Sequence, residues 1–143
     1  MTNEVMRVRQ NYFAIATAAV ACFLFEAAWY SFFYQAWLDG IGRTQEFLEH
    51  TGVSVGLQFA TALLAAAAIA GAISCVIQLT GPQTALRDMR VAGMLWLGFV
   101  VTTWGTEYVF EVRTYKLFAI NTGFWLIGMV VMGAIVGAWK KKG

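Results

Sequence analysis

Charged residues fall along this chain in clumps, and between the clumps lie four long, almost wholly apolar stretches. The first runs from about Asn11 to Leu38 and is broken only by Glu26. The second is Val53 to Leu79, inside the uncharged segment Thr51 to Leu86; the third, about Val91 to Phe110, carries Glu107. The fourth, Leu117 to Trp139, holds 23 residues without one charge. A bilayer span needs roughly 20 mostly apolar residues at a rise of about 1.5 Å each, so each stretch is long enough to cross. The pattern predicts an all-α fold, an integral membrane four-helix bundle with helices at about 11–38, 53–79, 90–112 and 116–139. Those helices form a single domain and leave no room for a soluble one.

The punctuation agrees with that division. Asp39, Gly40 and Gly42 can close the first helix through a left-handed residue, and Gly81 followed by Pro82 makes a turn that no helix crosses. Arg43 to His50 reads as a short amphipathic turn on the membrane surface, with Phe47 and Leu48 dipping in and Glu46 and Glu49 facing water. The last loop, about Glu111 to Lys116, is short enough to make helices three and four an antiparallel hairpin. Arg7 and Arg9 ahead of Ala18, Ala19 and Ala21 have the outline of a signal peptide. The apolar run continues through Trp29, Tyr30, Phe32 and Phe33, however, which is the length of an uncleaved anchor.

Composition and charge sharpen the class. The 143 residues are 59% hydrophobic and 13% charged, with a mean hydropathy of +0.63. That is too little polar chemistry to coat a soluble domain of this size. The net charge of +2 comes from basic residues beside apolar runs rather than in an aromatic-rich patch, which excludes nucleic acid and leaves the lipid bilayer as the partner. Positive loops resist translocation. Arg7, Arg9, Arg87, Arg90, Lys140, Lys141 and Lys142 fall on one side, and Arg43, Arg113 and Lys116 on the other, so both termini are expected in the cytoplasm. Tyr12, Trp37 and Trp139 stand near helix ends as interfacial anchors do. Cys22 and Cys75 lie inside apolar runs as small hydrophobes, and His50 is the one histidine, so neither a disulfide nor a metal site is expected.

Polar groups inside the spans are where the sequence points at function, because a carboxylate at a helix centre costs about 2.5 to 3.5 kcal/mol on insertion scales. Glu26 lies about 22 Å along the first helix, at or just outside the midplane. Gln58 starts the second helix from the outside, Glu107 and Glu111 share a face near the outer end of the third, and Asn121 is one turn into the fourth. Arg113 and Lys116 cap that loop. These residues predict a polar cluster opening outward, with Glu26 deepest and Arg113 the cation able to reach inward; the inner half offers hydroxyls, Gln78 and the cysteines. Glu26 must then be protonated, be paired with Arg113, or accept hydrogen bonds from Tyr, Trp, Gln58 or Asn121. Phe23, Trp29, Tyr30, Phe33 and Trp37 surround it at helical spacing, as the lining of a pocket for a hydrophobic ligand, a quinone or an organic cation, or as packing. Gly52, Gly56 and Ala60 in helix two and Gly133 with Gly137 in helix four suit close helix approach, within one bundle or in a homo-oligomer.

The segments Ala28-Trp29-Tyr30-Ser31, Trp96-Leu97-Gly98-Phe99 and Phe110-Glu111-Val112-Arg113, with the glycine-rich helix from Asn121 to Trp139, carry a resemblance. In them, over nearly the whole length, the chain resembles the bacterial membrane-protein family Domain of Unknown Function 1761 (DUF1761). The resemblance implies a four-helix inner-membrane protein with no established activity. It favours Glu111 and Arg113 over Glu107 as functional positions. No nucleophile with a base, phosphate loop or pair of haem histidines is found, so neither catalysis nor a cofactor is expected. Two readings follow. One is a binding or transport unit in which Glu26, Gln58, Glu111, Arg113, Asn121, Trp29 and Tyr30 hold a proton, a cation or a small hydrophobic ligand. The other is an accessory or structural subunit of a larger membrane complex, whose polar residues only fix helix packing.

Overall fold

A computed structural model describes residues 8–139, and among them no strand occurs. Arg7, Lys140, Lys141 and Lys142, four of the basic residues that set the expected orientation, lie outside the described residues. The chain folds into α1 (Tyr12–Phe32), α2 (Tyr34–Ile41), α3 (Gln45–Glu49), α4 (Val55–Leu79), α5 (Ala85–Leu95), a π-helical segment (Trp96–Val101), α6 (Thr102–Phe110) and α7 (Tyr115–Ala138). Three of these, α1, α4 and α7, are long and apolar enough to cross a membrane.

Four uninterrupted helices were expected, and the backbone departs from that in three places. The first helix is divided at Phe33, although its N–H still reaches the Trp29 carbonyl and α2 continues to Gly42, whose φ of 64° ends it as the sequence suggested. The surface turn after it winds into α3. The third helix begins at Ala85 rather than near residue 90 and changes to π-helical winding at Trp96–Val101. The earlier start follows from a cap that the loop assignment overlooked: Thr84 Oγ1 accepts the Arg87 N–H, and the Asp88 carboxylate reaches back to the Thr84 N–H at 3.0 Å. Asn11, Thr44, Ser54 and Thr114 cap α1, α3, α4 and α7 in the same way, each accepting from a backbone N–H three residues on.

The most enclosed helix is α7, packed against α1, α4 and α5. Alanines at four-residue spacing, Ala14 and Ala18 on α1 and Ala66 and Ala70 on α4, are fully buried and bring those backbones close to Phe124, Met132 and Val136 of α7. Directions can be read from the pairs. Asn11 donates to the Trp139 carbonyl and Trp29 to that of Ile120, so α1 and α7 are antiparallel. Phe23 meets Phe59, and Arg9 N–H bonds Gln78, so α1 and α4 are antiparallel too. Gly137 lies on Asp88 and Gly105 near Phe118, making the α5–α6 rod antiparallel to α7 as expected for a hairpin. Asn11, the α4–α5 turn and Trp139 therefore gather at one end, the terminal end; α2, α3 and the α6–α7 turn form the other, the loop end.

The four glycines offered as helix-approach positions behave differently. Gly133 and Gly137 are buried against α5 within the chain: a Cβ on Gly137 would sit 2.5 Å from an Asp88 carboxylate oxygen. Gly52 is not in a helix at all but in the loop before α4, with a φ of +76°. Only Gly56, with nothing within 4 Å of an added Cβ, is on an open helix face.

Candidate functional site

The residues singled out from the sequence gather in the loop-end half of the molecule, but in two groups rather than one cluster. The first is a groove of about 250 Å³ between α1 and α4, lined by Phe23, Glu26, Ala27 and Tyr30 on one side and Gln58, Phe59 and Ala62 on the other. Positions 23, 26, 27 and 30 recur at three- and four-residue steps, so helical winding alone puts them on one stripe of α1. The Glu26 carboxylate is half-buried there and takes no hydrogen bond or ion pair from any described residue. Its oxygens are not sealed in protein, since Gln10 Oε1 is the one buried and unpartnered side-chain polar atom among the described residues.

The second group is a chain of hydrogen bonds linking three helices beside that groove. Tyr30, which shares the groove with Glu26, donates its hydroxyl to Asn121 Oδ1 at 2.8 Å, and Asn121 Nδ2 donates to the Tyr108 hydroxyl at 2.6 Å. The Arg113 guanidinium lies over the Tyr108 ring, 5.7 Å from its centroid, and pairs with Glu111 at the exposed α6–α7 turn. A relay thus runs from the groove wall to the surface. Of the three alternatives open to Glu26, the pairing with Arg113 is not formed, because the cation is held at the turn by a carboxylate two residues before it, and neither are hydrogen bonds from Tyr, Trp, Gln58 or Asn121. Glu107 is exposed and joins neither group. Lys116 is exposed as well.

The two Trp-Tyr neighbours point apart, as a helical step of about 100° requires. Trp29 turns to α7 and donates to the Ile120 carbonyl at 3.0 Å. From the opposite side, Trp96 at the start of the π segment donates to the Thr122 carbonyl at 2.8 Å. The turn of α7 carrying Asn121 is thus held by two indoles, and its amide is fixed in place. The aromatic stripe expected around Glu26 divides accordingly: Phe23 and Tyr30 line the groove, while Trp29 and Phe33, with ring centroids 4.7 Å apart, face away from it.

Sequence reasoning missed two members of the polar structure. Tyr108 completes the relay, and its hydroxyl carries no hydropathy signal. Asp88, at the terminal end, is fully buried; it pairs with Arg87 at 2.7 Å, while Arg87 also donates to the Ile77 carbonyl and to Thr80 Oγ1. The signal for it was the Thr84 cap, which draws Asp88 into the helix. Among the described residues no group of three or more His, Cys, Asp or Glu is placed to hold a metal ion.

The family model described as Protein of unknown function (DUF1761) matches residues 13–137. No curated protein and no solved structure matches the chain.

Proposed function

Since the chain belongs to the DUF1761 family, whose description names no activity, we propose its function from its own groove: a non-enzymatic binding or transport unit of the bacterial inner membrane. In this reading the α5–α6 rod crosses the bilayer with α1, α4 and α7, both termini are cytoplasmic, and the groove opens outward. Glu26 binds a proton, a cation or a small hydrophobic ligand. Gln58 and Tyr30 complete the wall, and Asn121, with Arg113 and Glu111 at the surface, links the site to the outer turn.

One observation carries this reading: an acidic side chain in mid-helix whose carboxylate no described residue satisfies. An interhelical fastener at that depth has its lone pairs filled by neighbours, as those of Asn121 are, because an unpartnered carboxylate is costly in a low-dielectric surrounding. An apolar residue at position 26 packs as well and avoids that cost. The bonding of Asn121 favours the accessory-subunit reading for that residue alone.

Infrared difference spectroscopy on the protein in lipid, with Glu26→Gln as the assignment control, tests the proposal. The expected result is a carboxyl band that changes with pH and with added organic cations and is missing in Glu26→Gln, while the variant keeps its helical circular dichroism. Identical spectra from the parent and Glu26→Gln across pH and ligand would overturn it.

A further inference from the structure

At the loop end, α2, α3 and the start of α4 border a larger, half-open cavity of about 660 Å³, outside the groove that holds Glu26. We propose that this vestibule is a binding station for a lipophilic organic cation, of the alkyl- or arylammonium or phosphonium class, which it passes to the Glu26 groove. The direction of passage rests on the reading of Glu26 given above; the vestibule as a cation site rests on its own walls.

Three observations assign the ligand class. The first is aromatic: the Tyr34 and Trp37 rings lie 6.5 Å apart at 25°, and both line the cavity, offering π faces of the kind that attract cations. The second is charge. Glu49 lines the cavity, and its carboxylate accepts a hydrogen bond from Gln45 at 2.8 Å, a neutral donor that leaves the charge uncompensated. No Lys or Arg lines the vestibule: the Arg43 guanidinium is taken up over the Phe47 ring at 4.4 Å, and Arg113 pairs with Glu111. An anion is disfavoured by such walls. A hydrated metal ion is disfavoured as well, since a single carboxylate among aromatics cannot replace its water shell. The third is continuity. Gln58 lines both the vestibule and the Glu26 groove, and Trp37 in the vestibule meets Tyr30 of the groove edge-on, with centroids 6.1 Å apart. A cavity of this volume suits a drug-sized molecule, whereas the inner groove takes only part of one.

The full-length protein in nanodiscs of zwitterionic lipid, with empty discs subtracted, gives a direct test by equilibrium dialysis of tetraphenylphosphonium against its anionic isostere tetraphenylborate. The phosphonium is expected to bind and the borate not. Trp37→Leu is expected to weaken phosphonium binding on the order of tenfold, and Glu49→Gln by about threefold, from the loss of a cation–π face and of a partly solvated charge respectively. Should Trp37→Leu fail to fold, Glu49→Gln on the exposed five-residue α3 carries the test. Borate binding as tightly as phosphonium, or affinity unchanged in folded Trp37→Leu and Glu49→Gln, overturns the vestibule. If phosphonium binding depends on Trp37 and Glu49 while Glu26 gives no infrared response, the vestibule stands, and the reading of Glu26, with the passage to it, falls.

Discussion

Asn121 is buried, with 7% of its surface exposed, and it spends both ends of its amide, one on Tyr30 and one on Tyr108. Hydrogen bonds between membrane helices average about 0.6 kcal/mol and reach about 1.7, so Asn121→Ala should cost about 1 to 2 kcal/mol in detergent-induced unfolding. Tyr108→Phe should cost about half as much, and the double variant less than the sum, because the second change removes a bond already lost. A polar residue within the last apolar span was legible as an inward group, since lipid offers its amide no hydrogen-bond partner. Tyr108 was not, because only the register of α6 on α7 brings its hydroxyl there. Val112 was illegible for another reason. It sits at a φ of 53° just past α6, where the Arg113 N–H bonds back to the Tyr108 carbonyl at 2.9 Å, a position that glycine usually takes. A β-branched side chain in that conformation is strained by roughly 1 to 2 kcal/mol. Val112→Gly should therefore raise stability by about 1 kcal/mol, less the extra freedom glycine gives the unfolded chain, as read by thermal unfolding.

Among the elements, the apolar helices were plain in the sequence and the junctions were not. Hydropathy placed α4 and α7 nearly to the residue: α7 follows a run free of charge, and α4 is cut out of the longer uncharged segment Thr51 to Leu86 by the Gly81-Pro82 turn. For the third helix it misled: Arg87, Asp88 and Arg90 look like a loop, yet α5 already includes them, the pair Arg87–Asp88 being folded onto the α4–α5 turn. Nor does hydropathy foretell a π segment, whose extra winding belongs to the backbone rather than to side-chain polarity. The α5–α7 interface gives a sharp test, since Gly133 and Gly137 press on Asp88 and Ala92. In Gly137→Ala the new methyl would meet Asp88 at 2.5 to 3.0 Å, and overpacking of this kind costs about 1 to 3 kcal/mol. In Gly56→Ala it meets nothing within 4 Å, so that variant should be neutral or gain up to about 1 kcal/mol from helix propensity. Equal melting temperatures for the two would show that α5 and α7 do not pack as described.

At the scale of the whole molecule, direction decides what hydropathy leaves open. The α4 helix runs antiparallel to α1 and ends at the terminal end; α7 also runs antiparallel to α1 and begins at the loop end. The chain must therefore travel back between Leu79 and Tyr115, and the rod of α5, the π segment and α6 is what makes the journey. If α1, α4 and α7 cross a bilayer, that rod crosses too, as the third apolar stretch, about Val91 to Phe110, suggests. Four crossings bring both termini to one side, and the bonds from Asn11 to Trp139 and from Gln83 to the Val136 carbonyl hold that end together. The orientation proposed above makes that end cytoplasmic, in keeping with the count of Lys and Arg along the sequence. Single cysteines introduced at Thr51, Pro82 and Val112, with Cys22 and Cys75 replaced by Ala, turn this into an experiment. In intact cells a membrane-impermeant maleimide should label positions 51 and 112 but not 82, which should label only after lysis. Labelling at position 82 alone would invert the orientation and turn the groove and its vestibule toward the cytoplasm. Labelling at 51 without 112 would take the α5–α6 rod out of the bilayer, leaving α7 to begin on the side where α4 ends.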